Sequence, residues 1–96
     1  MKRTLFIVPQ WVDIVPVIDP DNPQYFTGDP LPMIPHDIEL RLRSWNQRFI
    51  DNFDEVSGWK HNGMGSTHRI EAEELQQALK DAVGDEFEVE IDGSFW

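Results

Sequence analysis

His36, His61 and His68, with Asp54 and Glu55 near the second of them, are the residues here whose types could hold a metal ion. Their spacing argues otherwise. No two histidines sit three or four positions apart on a helix, and the chain has 0 cysteines to complete a site. Surface or helix-capping roles fit the three better. Asn62-Gly63-Met64-Gly65-Ser66-Thr67 has the glycines and hydroxyls of an anion-binding turn, but it lacks the lysine and the full glycine pattern. A turn followed by a helix cap accounts for it. Nucleophilic catalysis would need an activated hydroxyl, and neither Ser44, Ser57, Ser66, Ser94 nor any threonine stands in a recognisable catalytic setting. The expectation is therefore no enzyme, no metal and no cofactor.

Charge is the stronger signal. The 96 residues carry 8 Lys plus Arg against 18 Asp plus Glu, a formal charge of −10. Direct binding of nucleic acid or of an anionic membrane is disfavoured, because both are polyanions. The excess is also local: residues 49–96 hold three basic and twelve acidic side chains, and no basic residue follows Lys80. Glu74 and Asp81 fall on the side of the second expected helix away from its apolar face, Asp85 and Glu86 follow in a turn, and Glu88, Glu90 and Asp92 alternate outward along a strand. Such a face either solvates the domain or docks a basic partner. Arg41 and Arg48 flank the apolar stripe of the first expected helix. Their stems cover the edge of the core, or they pair with the acidic half, within the chain or across a dimer. Trp11 and Trp59 in loops, and Phe95-Trp96 near the last residue, are large aromatics outside regular periodicity; they pack at the rim of the core or contact a partner.

These groups need elements to position them. Leu5 to Val8 is a continuous apolar run, as expected of a central strand. Val12 to Ile18 is β-rich but contains Pro16, which confines any strand there to an edge. Residues 19–35 form a Pro-rich loop containing Tyr25, Phe26, Leu31 and Met33. A helix then starts near Pro35, with Asp37 and Glu39 at its positive end. Ile38, Leu42, Trp45, Phe49 and Phe53 fall within an arc of about 80° on it, a narrow apolar face. Asp54 to Gly65 reads as a glycine loop. Ser66 or Thr67 caps a second helix that runs to Val83, where Gly84 stops it. Its apolar face is Leu75, Ala78, Leu79 and Ala82, with Ala72 and Val83 at the flank. Phe87 to Asp92 alternates strictly, placing Phe87, Val89 and Ile91 inward.

The order β-(β)-α-α-β describes one α+β domain over residues 1–96, two-layered, with a small sheet of two or three strands packed against two helices. Lys2-Arg3 ahead of a four-residue apolar run is too short for a secretory leader, and no stretch approaches the about 20 apolar residues of a membrane span. A cytoplasmic protein is the expectation.

The string Leu31-Pro32-Met33-Ile34-Pro35-His36-Asp37-Ile38-Glu39-Leu40-Arg41-Leu42-Arg43-Ser44-Trp45-Asn46, taken with Ala78 to Val89, resembles a loose group of small acidic, largely uncharacterised bacterial proteins. These have a strand, a Trp- and Pro-bearing loop, a helix of the form Leu-x-x-Trp-Asn, and a closing helix before an alternating strand. This chain has Ile34 where the group carries serine before the helix proline. The resemblance implies a fold of this kind and, for some members, an immunity protein that neutralises a toxin by binding it.

Charge and resemblance together lead to the expectation of a protein-binding domain, an inhibitor of immunity or antitoxin type whose acidic half covers a basic site. The residues expected to carry it are Glu74, Asp81, Asp85, Glu86, Glu88, Glu90 and Asp92, with Trp59, Phe95 and Trp96. The alternatives are an accessory or dimeric protein without inhibitory role, and a small ligand-binding protein or enzyme using the Trp-bearing loops.

Overall fold

The computed structural model describes residues 3–19 and 34–92. Most of the Pro-rich loop, and both Phe95 and Trp96, lie outside the described residues. The apolar run near the start forms β1 (Arg3–Ile7), which pairs on one side with the two-residue β2 (Val17–Ile18) and on the other with the last strand. Leu5 and Ile7 are fully buried, as a central position requires. Pro16 sits just before β2 at the sheet edge, and its carbonyl accepts the Val8 amide at 2.9 Å.

The first helix, α1 (His36–Asn52), has Pro35 as its N-cap and not as its first helical residue. It buries Ile38, Leu42, Trp45 and Phe49 as the periodicity predicts. Phe53 does not extend that stripe. It leaves the helix as the first residue of β3 (Phe53–Asp54), which pairs with β4 (Gly58–Trp59) where the sequence reads as a plain loop. The turn between them is built on Asp54, whose carboxylate accepts the amides of Val56 (2.8 Å) and Ser57 (3.1 Å). Those two bonds hold its pKa below the ordinary carboxylate value.

The second helix, α2 (Met64–Val83), starts two residues before Ser66. Its N-cap is Gly63, in the left-handed region at φ 85°, and no side chain caps it. Neither Ser66 nor Thr67 performs the expected role; the Thr67 amide instead closes the first turn on the Gly63 carbonyl at 3.1 Å. The far end agrees with the sequence: Gly84, at φ 73°, takes the backbone where a Cβ would be strained. Ala82, expected on the apolar face, is exposed, and His68 is buried in the first half of the helix.

A short 3₁₀ turn (Gly84–Glu86) leads into β5 (Phe87–Ile91), which runs parallel to β1 with Leu5 opposite Val89. A parallel pair needs a long crossover, and the two helices supply it. The result is the α+β, two-layer arrangement: a β2-β1-β5 sheet under two helices. Leu5, Ile7 and Val89 from the sheet meet Leu42 and Trp45 from α1 and Ala72, Leu75 and Leu79 from α2 in one core. Each fully buried leucine contributes about 1.5–3 kcal/mol. No helix among the described residues is long and apolar enough to cross a membrane.

Candidate functional site

The acidic side chains expected to act together come from α2's last turn and from β5. Asp81, Asp85, Glu88 and Glu90 line one recess of about 340 Å³, with Lys80 and the ring of Phe87. The alternation of β5 explains half of this: Val89 is buried against the helices, so Glu88 and Glu90 must point the other way. Glu86 is exposed in the adjoining turn. Asp92 lies just past the far end of the strand, half-buried, its amide on the Ile7 carbonyl at 3.0 Å. Glu74 is elsewhere, in a groove of about 270 Å³ between the helices that it shares with Leu40, Arg41 and Glu71.

Five of the acidic side chains among the described residues are taken up in ion pairs elsewhere in the molecule. Arg3 pairs with Asp19, Arg43 with Glu39 and Asp13, Arg48 with Glu71, and Arg69 with Glu73. Among the described residues, Asp85, Glu86, Glu88 and Glu90 form no ion pair. They also gather at the negative end of the α2 dipole, where carboxylates are unfavourable, while α2's first turn, where they would stabilise, contains none. Charge and dipole therefore add to one negative field over the recess, offset locally by Lys80. The basic strip of α1 is partly used within the chain, through Arg48 and Glu71.

Trp59 stands at the opposite end of α2. Its ring packs on Phe53 (5.1 Å between centroids), Phe49 (5.9 Å) and His68 (4.9 Å). Gly65 allows this, because a Cβ there would meet the Trp59 indole nitrogen at 2.9 Å. The outer side of Trp59 borders a recess of about 310 Å³ shared with Asn62, Met64, Thr67 and His68. Trp11 lies across Phe49 (4.9 Å) and stays 49% exposed.

The histidines divide. His36 is exposed and meets Glu39 at 3.1 Å, and His61 is exposed near the start of α2. His68 corrects the surface reading: it is 3% exposed, stacked on Trp45 with ring centroids 4.2 Å apart. Burial lowers its pKa, against the raising effect of its bond to the Trp45 carbonyl. Among the described residues no three His, Asp or Glu side chains gather in a way that could hold a metal.

Three further residues make contacts that the sequence does not signal. Asn46 is fully buried; its carbonyl oxygen accepts the Gln10 amide at 2.7 Å and its NH₂ donates to the Val12 carbonyl at 3.0 Å, tying the Trp11 loop to α1. Asp19 is a fully buried carboxylate held by Arg3. Gln76 reaches from α2 to donate to the Val89 carbonyl at 2.7 Å. The Trp-Asn pair of the first helix is thus a structural device, Trp45 facing α2 and Asn46 the loop. No family model matches the chain, and no curated protein or solved structure matches it.

Proposed function

We propose that the chain is a non-enzymatic protein-binding domain, an inhibitor of immunity or antitoxin type whose α2–β5 end docks on a basic site of its partner. One observation carries this reading: Asp85, Glu88 and Glu90, which form no ion pair among the described residues, converge with the negative end of a helix dipole around a single recess. A face that only solvated the domain would gain by spreading its charge and by placing acids at α2's first turn, where they stabilise the helix. Focused negative potential instead accelerates encounter with a cationic surface and orients it. The inhibitory role itself comes from the resemblance to small acidic immunity-like proteins.

The test is capture from the host of this chain at low salt, with the wild type and Glu88→Lys/Glu90→Lys compared side by side. The wild type retains a basic protein, releases it at high salt and suppresses its activity. The double variant, folded by circular dichroism, does neither. Equal retention and suppression by both removes the acidic end from the interface.

A further inference from the structure

The hydrogen bond from the Asp92 amide to the Ile7 carbonyl, at 3.0 Å, sets the phase of β5. Asp92, Glu90 and Glu88 direct their backbone groups toward β1. Phe87, Val89 and Ile91, whose side chains face the helices, therefore turn theirs to the opposite edge. No strand of the described residues pairs there, since the sheet order is β2-β1-β5. Among the described residues, a neutral side chain meets that edge: Gln76 donates to the Val89 carbonyl at 2.7 Å. The recess of Asp81, Asp85, Glu88 and Glu90 takes in this strand. The other edge is poorer, because β2 is two residues long and follows Pro16.

We propose that an extended segment of the partner adds to β5 as a fourth strand, with basic residues alternating with apolar ones. This rests on the docking reading above and names its mode. In such a ladder, side chains directly opposite lie about 4.5–5.5 Å apart. One set falls beside Glu88 and Glu90 and is Lys or Arg. The intervening set falls beside Phe87 and Ile91, which are only half-buried, and is apolar. Main-chain bonds supply affinity and the alternating side chains supply selection. Gln76 acts as a stopper on this edge, holding the Val89 carbonyl until a strand replaces it.

The experiment titrates the full chain with a capped seven-residue peptide of alternating lysine and valine. Two versions carry N-methyl groups, one on the valine nitrogens and one on the lysine nitrogens. In a strand these nitrogens point to opposite edges, so one version blocks the ladder and the other leaves it, whichever direction the strand runs. The unmodified peptide is expected to bind and to slow amide exchange at Val89 and Ile91, and one methylated version to bind at least about tenfold more weakly than the other. Gln76→Ala, which leaves the charge unchanged, binds the unmodified peptide several-fold more tightly. Equal binding of all three peptides without protection of Val89 and Ile91 overturns strand addition and leaves acidic docking standing. Absence of binding by every peptide overturns strand addition as well. Undiminished binding to Glu88→Lys/Glu90→Lys overturns the acidic reading itself.

Discussion

Trp45 and His68 are bonded to each other twice across the α1–α2 seam. The indole Nε1–H donates to the His68 carbonyl and the imidazole Nε2–H donates to the Trp45 carbonyl, each at 2.9 Å, with the rings 11° from parallel. A carbonyl can only accept, so the Nε2 proton of His68 is fixed. Trp45→Phe keeps most of the buried ring and leaves the His68 carbonyl without this donor. The expected loss is about 1–3 kcal/mol by urea denaturation, against about 3–5 kcal/mol for Trp45→Ala.

The same pair makes stability depend on pH. Burial lowers the folded-state pKa of His68 below its ordinary 6.5. Above that value both the folded and unfolded chains hold a neutral imidazole and the group contributes no slope. As pH falls below it, the unfolded chain takes up the proton first, so stability declines until the folded His68 also protonates. Urea denaturation at several pH values between about 7.5 and about 5.5 should show this decline. It should flatten in His68→Gln, whose side-chain amide can still donate to the Trp45 carbonyl.

Asn46 holds the loop from Gln10 to Val12 through its side chain. Asn46→Ala strands the Gln10 amide and the Val12 carbonyl, and a cost of about 1–3 kcal/mol is expected. Trp11 fluorescence should shift to the red as the loop loosens. Asn46→Asp retains the acceptor but replaces the donor to Val12 with a buried charge, and should cost more than Asn46→Ala.

The acidic end is expected to cost stability. Glu88→Gln/Glu90→Gln removes two carboxylates from the field at α2's negative end, so Tm should rise at low ionic strength. The gain should vanish in about 1 M salt, where the screening length is about 3 Å. A double variant less stable than the wild type at low salt would show that these side chains make supporting contacts.

The amphipathic stripe from Ile38 to Phe49, the strict alternation of β5, the Gly84 stop and the edge position imposed by Pro16 are all legible in the sequence, because each depends on local periodicity or backbone geometry. Phe53 falls outside the helix that its periodicity predicts, because periodicity does not record where a helix ends, and here the Asp54 turn draws the chain into a hairpin. His68 reads as a surface residue because its burial depends on Trp45, which is 23 positions away. Gln76 is silent for the same reason: its partner is a backbone atom of β5. Of the site, the acidic residues of the last turn and strand could be grouped from the sequence. That Glu74 belongs to another groove required the packing of α2 on α1.

Phe87 to Ile91 also determines what this chain refuses. An identical β5 laid along the outer edge of this strand would set glutamates against glutamates at cross-strand distance, an arrangement that is destabilising. That repulsion opposes edge-to-edge joining of copies, the usual hazard of an edge strand. The protection is conditional on charge. In Glu88→Gln/Glu90→Gln the remaining Phe-x-Val-x-Ile pattern would meet a copy of itself without that repulsion, so two side chains as much as the core decide how this edge behaves.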